Sequence, residues 1–511
     1  MTSAKCSHYG FDLGKGVSAL DPKLPTVTCP LHDATFDVRS GRAVRGATVD
    51  GISVFPVVSV SEQFLTVGCK AQTEPPLAKR DPKNPAVAAI IGGGPATVAA
   101  IHGLRSAGYT GRVVVFSEDA ELPYDRVVLS KKFPDGTSLG LKAETWYEEL
   151  DVEWRPQTQV TKLENKTLRF RGVDAQEEEV NFDKCLIATG CAPRVPAIPG
   201  VHLKNVFVLR SVRDWEKISE AVRTTHREKK KVVIIGSGFI GTEMASLLKS
   251  KADCDVTVVG STAVPFERVF GRRVGSYYAK LYAANKVDYR QGRAKLIRGR
   301  DGRLGDVSEV SLVELDDGDM IQADVVLLAV GTVPNSGVFS ELPIGSDGGI
   351  LVDPLLRVQG RDDVYAAGDV ARFPSIHAQG KDLRVEHWDA AMDMGRVAGR
   401  NMAGGFAVYQ EVPFFWTNAF GKSVRWVGVL ADVGEATDNW DNVLIEGDLN
   451  EGKFVAYYVK SGRVAAVATS NMDPVAVAAG ELMRKNKMPS VAEIQLGTVN
   501  AQTILQLAKS L

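Results

Sequence analysis

The stretch from Val87 to Asp119, VAAIIGGGPATVAAIHGLRSAGYTGRVVVFSED, constrains this chain more than any other. An apolar run meets Gly92-Gly93-Gly94, an alanine-rich helical pattern follows, and a second apolar run ends beside Glu118. Strand, tight turn, helix, strand and acid in that order describe a βαβ unit. Glycines at such a turn let backbone N–H groups approach a pyrophosphate at the helix N-terminus, and an acid about 20 residues further on can hold a ribose hydroxyl. Gly92, Gly94 and Glu118 are therefore candidate contacts to a dinucleotide. Thr97 stands where a third glycine belongs, which predicts a helix packed slightly further from its strand. Taken alone, the stretch fits an ordinary βαβ unit with a glycine-rich turn equally well.

A second copy tips the balance. Lys231-Val232-Val233-Ile234-Ile235 reads as a buried strand, and Gly236-Ser237-Gly238-Phe239-Ile240-Gly241 completes the fingerprint without substitution, so Gly236, Gly238 and Gly241 mark a second dinucleotide site. The next strand ends in Gly260-Ser261-Thr262, without the acid of an NAD-preferring site. Arg268, Arg272 and Arg273 follow and are either partners for a 2′-phosphate or exposed helix charges, so NADH and NADPH both stay open.

With 511 residues the chain should divide into about three or four domains. Its 61 basic and 62 acidic residues leave a net charge of -1, which gives no global attraction to nucleic acid or an anionic membrane. No run approaches the roughly 18 apolar residues of a transmembrane helix, and no signal pattern opens the chain. These observations predict a soluble cytoplasmic protein, or a mitochondrial one if the start is truncated.

Ahead of the first fingerprint lie Cys6-Ser7-His8 and Cys29-Pro30-Leu31-His32. Two Cys/His pairs suit tetrahedral zinc or a [2Fe–2S] cluster with two cysteines on one iron and two histidines on the other. Each pair here is mixed, whereas zinc fingers pair like with like. With Tyr9-Gly10 after the first pair, and Phe36-Asp37 and Gly41 after the second, the segment resembles Rieske ferredoxin loops. The resemblance implies Cys6, His8, Cys29 and His32 as cluster ligands. High-potential Rieske proteins carry a further cysteine in each loop; Phe11 and Leu31 stand there, implying the low-potential type. Asp33 occupies a usual glycine position, and a first ligand at position 6 predicts a shortened module.

After the first βαβ unit, Pro123-Tyr124-Asp125-Arg126 and Leu129-Ser130-Lys131 resemble a segment of the putidaredoxin-reductase and apoptosis-inducing-factor group of flavoproteins. That resemblance implies FAD, an Arg126 contact to it, and Lys131 near the reactive edge of the ring. Val127 replaces the group's proline. Leu186-Ile187-Ala188-Thr189-Gly190 resembles the element where the chain passes between nucleotide domains, and Val364 to Asp369 resembles the second FAD motif, which adds Gly368 and Asp369. Glu243, on the helix after the second fingerprint, is implied as the partner of Lys131. Glu386-His387-Trp388 and Phe414-Phe415-Trp416-Thr417 resemble segments flanking the flavin, implying Trp388 and Trp416 contacts. No cysteine pair lies between Val87 and Lys184, where disulfide reductases place theirs, and Cys185 and Cys191 look structural.

The expected architecture is an α/β flavoprotein reductase with two dinucleotide-binding domains, an N-terminal all-β Rieske module and a C-terminal α+β interface domain. The expected boundaries are 1–70 Rieske, 71–86 linker, 87–211 and 341–407 FAD-binding, 212–340 NAD(P)-binding, and 408–511 interface. The combination resembles the Rieske-containing apoptosis-inducing-factor-like proteins. It implies NAD(P)H-dependent reduction of FAD, then single electrons through the [2Fe–2S] cluster to an unidentified acceptor. The alternatives are a ferredoxin-reductase component of an oxygenase system, or a redox-sensing cell-death protein with little turnover.

Overall fold

Val87–Ile91 becomes the central strand of a five-stranded parallel sheet, ordered Val364–Ala366, Lys184–Ile187, Val87–Ile91, Arg112–Phe116, Val152–Arg155. Ala88, Ala89 and Ile90 are fully buried. A parallel strand covered on both faces has no polar side, so its run is continuously apolar. The computed structural model describes residues 2–61, 64–71, 75–223, 229–300, 308–429 and 440–511, so residues 72–74 of the expected linker lie outside the described ones.

A second parallel sheet is ordered Val206–Phe207, Val325–Leu328, Lys231–Ile235, Asp255–Gly260, Asp288–Gln291. Val206–Phe207 pairs with Val326 and Leu327 of this sheet, so the expected boundary after residue 211 falls too late. The chain crosses between the sheets at Cys191–Pro193, which pairs antiparallel with Thr332–Pro334 on the way back. A two-residue strand carries no periodicity, and only its pairing reveals where it belongs.

The two parts of the first sheet's domain are locked by helices Pro95–Ser106 and Trp388–Met402. Their contact is lined by small residues. A Cβ on Gly395 would lie 2.1 Å from the Ala96 carbonyl oxygen, and one on Gly399 2.2 Å from that of Ala100. Gly399→Ala must therefore push the helices apart. The expected cost is about 1–3 kcal/mol, read as a lower thermal midpoint and earlier flavin release.

The C-terminal region forms a five-stranded antiparallel sheet, ordered Phe414–Ala419, Lys422–Gly428, Arg463–Ser470, Lys453–Lys460, Asn442–Asp448, packed by helices Val475–Arg484 and Ala501–Lys509. At the other end of the chain, Val17–Ala19, Thr26–Thr28, Thr35–Asp37 and Ala43–Arg45 make a four-stranded antiparallel sheet. Its core is small: Cys6, Leu13, Val27, Cys29, Ala34, Phe36, Ala43 and Ile52. So small a core supplies little stability by itself, and the module leans on the rest of the chain. Val17, Ala47 and Val49 join the hydrophobic cluster of Trp388, Trp416 and Ala478.

A charged latch closes the same interface. Arg45 Nε donates to Asp33 at 3.1 Å, and Arg45 also pairs with Glu481. Arg484 bonds Glu481 at 3.1 Å and Glu411 at 3.2 Å, and pairs with Asp33. Asp33 has φ 52°, which explains both the glycine usual there and the tolerance of aspartate, a residue that visits the left-handed region at modest cost. The substitution places a carboxylate between two arginines. Burial works against the charge of Glu481, yet Arg45 and Arg484 outweigh it and pull its carboxyl down to about 2.

Candidate functional site

Both glycine turns open onto one cavity of about 1730 Å³. Gly92 and Gly236 are built alike: φ is 116° and 118°, and a Cβ would lie 2.2 Å from the Ala188 carbonyl oxygen and 2.1 Å from that of Ala329. Gly94 and Gly238 cap the two helices and behave oppositely, since a Cβ on either would meet nothing within 4 Å. No packing demand keeps these two small. The space before each helix N-terminus is instead where a pyrophosphate approaches the backbone N–H groups, so the residues present fit two dinucleotides. Gly241 serves packing, because its Cβ would lie 2.0 Å from the Gly236 carbonyl oxygen. At the corresponding position in the first unit, the Thr97 hydroxyl donates to the Gly92 carbonyl at 2.7 Å, tying the substitution into the turn.

On the first-sheet side, Glu118 is exposed at the cavity wall and its neighbour Asp119 pairs with Arg126. Arg126 Nη1 donates to the Tyr124 hydroxyl at 2.9 Å and the Arg210 carbonyl at 3.0 Å. Gly368 and Asp369 follow strand Val364–Ala366 and line the cavity, with Asp369 accepting from Arg210 Nη2 at 3.1 Å. Gly190 lies beside the same guanidinium. The Thr189 hydroxyl donates to the Asn335 carbonyl at 2.8 Å, so it ties the two crossing segments together. Arg210 belongs to no motif, and the sequence offers no signal for it beyond its place after Val206–Phe207.

Between the two nucleotide turns, Lys131 Nζ lies 2.8 Å from Glu243. Glu243 is buried and also accepts from the Ser130 hydroxyl and, at 2.8 Å, from Thr417. Three side chains from two segments thus hold one carboxylate in place. The Trp388 indole N–H donates to the Ala47 carbonyl at 3.2 Å, so it serves the N-terminal module while the ring lines the cavity. His387 is half-buried on the cavity wall. Burial, and then Lys131, lower it to about 3, leaving a neutral ring.

The four N-terminal candidates face each other in pairs. The Cys6 and Cys29 thiols touch; contact with Cys29 lowers Cys6 to about 7, and contact with Cys6 together with burial pushes Cys29 up. The His8 and His32 rings lie 4.9 Å apart at 77°. Burial lowers His8 to about 4 and His32 well below its ordinary value, so both rings are neutral and able to bind metal. His8 Nδ1 is buried with no hydrogen-bond partner among the described residues. Paired thiols opposite paired imidazoles, with one nitrogen left free, fit a two-iron cluster.

The Trp416 ring joins the two regions. It lies 4.2 Å from the His32 ring, 6.4 Å from His8 and 4.9 Å from His387, and it lines the nucleotide cavity. All six cysteines are free; burial pushes Cys185 up and Cys191 to about 12, as suits inert structural thiols.

Comparison with known proteins agrees with this geometry. The pyridine nucleotide-disulphide oxidoreductase family matches residues 87–395, and the Rieske [2Fe-2S] domain matches residues 1–56. Apoptosis-inducing factor 3 of Homo sapiens is 31% identical over 98% of this chain and 80% of its own. The anthranilate 1,2-dioxygenase system ferredoxin–NAD(+) reductase component of Burkholderia cepacia is 29% identical over 81% of this chain and 98% of its own. The crystal structure of the covalent putidaredoxin reductase–putidaredoxin complex has the same fold, with a TM-score of 0.74 at 24% identity over 84% of this chain and 100% of that one. With that family matching more than half of it and a Rieske domain ahead of the match, this chain belongs to the pyridine nucleotide-disulphide oxidoreductases, as an NAD(P)H-dependent FAD oxidoreductase carrying its own Rieske [2Fe–2S] domain.

Proposed function

We propose that this chain oxidises NAD(P)H at FAD and delivers the electrons singly, by way of its own Rieske domain, to a protein acceptor outside the chain. The carrying observation is the Trp416 ring, which lines the nucleotide cavity and lies 4.2 Å from His32. When bound, FAD takes up a hydride, and the [2Fe–2S] cluster accepts one electron at a time.

The protein's own residues bind, orient and exclude water. Gly92 and Gly94 open the FAD turn, with Glu118, Arg126, Gly190, Gly368 and Asp369 around it and Thr189 tying the crossing. Gly236 and Gly238 open the nicotinamide turn, and Gly241 sets its packing. Lys131, neutralised by Glu243, presents an ammonium at a fixed position. Trp388 and Trp416 close the wall toward the Rieske module, whose ligands are Cys6, His8, Cys29 and His32. The anthranilate-system relative is named for a ferredoxin; here a ferredoxin-like module is built in, so the acceptor is the next carrier. Free cysteines suit a thiol-reducing compartment, the cytoplasm. No helix among the described residues is long and apolar enough to cross a membrane.

Visible and electron paramagnetic resonance spectra of anaerobic protein test the reading. A Rieske-type signal growing as NAD(P)H bleaches the flavin supports it. A bleached flavin beside a centre that stays oxidised refutes the internal route. Glu243→Gln, which keeps the shape but releases Lys131, is expected to slow flavin reduction about 100-fold in stopped flow, the usual cost of a misplaced group.

A further inference from the structure

We propose that the nicotinamide coenzyme is NADPH, and that Ser261 and Arg268 hold its 2′-phosphate. The inference rests on the second glycine turn being the nicotinamide nucleotide site. The two coenzymes differ only at the adenosine ribose, which in such a fold lies past the end of the strand following the turn. That strand is Asp255–Gly260, and Ser261 and Thr262 follow it. A carboxylate at this place would bond a 2′-hydroxyl and repel a 2′-phosphate; a serine carries no charge to repel the phosphate and has a hydroxyl to donate to it.

The positive charge present is of the kind a phosphate requires. Arg268 Nη2 donates to the Ser261 hydroxyl at 3.2 Å, and both residues are exposed on the cavity wall. Among the described residues, no carboxylate lies within ion-pair distance of Arg268. Its neighbours are already committed: Arg272 pairs with Glu267 at 3.0 Å, and Arg273 donates to the Val443 carbonyl at 2.7 Å. Glu267, an acid on the same helix, is buried and bound by both Arg272 and the Val264 N–H, so it presents no free charge to the ribose. Arg293 adds a second guanidinium to the cavity wall, on a turn anchored by the Gly292 N–H donating to the Gly260 carbonyl at 2.9 Å.

The loop carrying Ser261 is fixed in advance. The Thr262 hydroxyl donates to the Val264 carbonyl at 2.8 Å, and the Tyr289 hydroxyl donates to the Thr262 carbonyl at 2.8 Å. Ser261 alone points its hydroxyl at a cation. A hydroxyl and a guanidinium converging at the end of a nucleotide-binding strand, without an acid, match the donors a phosphate monoester accepts from.

Binding of 2′,5′-ADP and 5′-AMP to the flavin-loaded protein, measured by calorimetry, tests this without any redox readout. The expected result is that 2′,5′-ADP binds at least about tenfold tighter, the scale of one charge-assisted contact. Arg268→Ala should remove most of that difference, and Ser261→Glu should reverse it. Equal affinity for the two nucleotides overturns the proposal, as does an Arg268→Ala protein that loses affinity for both alike. Stopped-flow flavin reduction separates the levels. Equal rates with NADPH and NADH at subsaturating concentration sink the coenzyme assignment alone, whereas no reduction by either sinks the underlying reading with it.

Discussion

Cys29→Ala is expected to abolish the iron–sulfur absorption and paramagnetic signal completely, while NAD(P)H still bleaches the flavin. Cys29 is 1% exposed and packs in the core of the N-terminal module beside its partner thiol Cys6. An iron of such a cluster left with one protein thiolate has lost half of its protein ligands, and alanine supplies no replacement. Among the described residues the two nucleotide sheets share no strand with the module, so the flavin half keeps its own framework. Reduction of an external one-electron protein acceptor should disappear together with the signal. A Cys29→Ala protein that still showed a Rieske-type signal would place the cluster elsewhere.

Arg45→Ala is expected to release the module from the body of the protein, at a cost of about 3–5 kcal/mol, the usual penalty for removing one partner of a buried ionic network. Arg45 faces Asp33 and Glu481, both buried, with Glu411 3.7 Å away. Without it, Arg484 alone must neutralise three carboxylates. The readouts are a lowered thermal midpoint and slow cluster reduction after the flavin has bleached at its normal rate. Arg45→Ala combined with Glu481→Ala should cost less than the sum of the single changes, because removing one charge of each sign restores the balance of the network, with Arg484 still pairing Asp33 and Glu411. A midpoint unchanged by Arg45→Ala would reduce the latch to ordinary surface pairs. Its acid dependence has a definite sign. The Glu481 carboxyl is held down to about 2, so its contribution is fully present above the ordinary carboxylate range and is lost as pH falls toward 2.

Much of the candidate site was legible because its chemistry is local. A glycine turn between a strand and a helix needs residues that are neighbours in the chain, as at Gly92–Gly94 and Gly236–Gly241. A Cys/His pair one or two residues apart is visible within a short window, so Cys6, His8, Cys29 and His32 stood out as candidate metal ligands, and resemblance to Rieske loops supplied the reading as a cluster. The flavin-side segments around Arg126, Lys131 and Asp369 were found by resemblance, not by any period or spacing in the chain.

What the sequence determined by itself, then, was the set of elements and the chemistry each can carry: two nucleotide turns, two mixed Cys/His loops, and apolar runs too continuous for anything but covered strands. Only the tertiary structure decided how they meet. Asp33 looked like a departure from a glycine position, and it became a latch only when Arg484, 451 residues away, packed beside it. Arg210 gained a partner in Asp369 across 159 residues, and Val206–Phe207 moved the domain boundary by pairing with a strand more than a hundred residues on. Trp416 reads as one buried aromatic among many, and nothing in its own surroundings shows that it touches His32. Local periodicity reports which face of an element avoids water. It carries no information about which other element covers that face, because that choice is made by packing and charge pairing between parts of the chain that no short window contains.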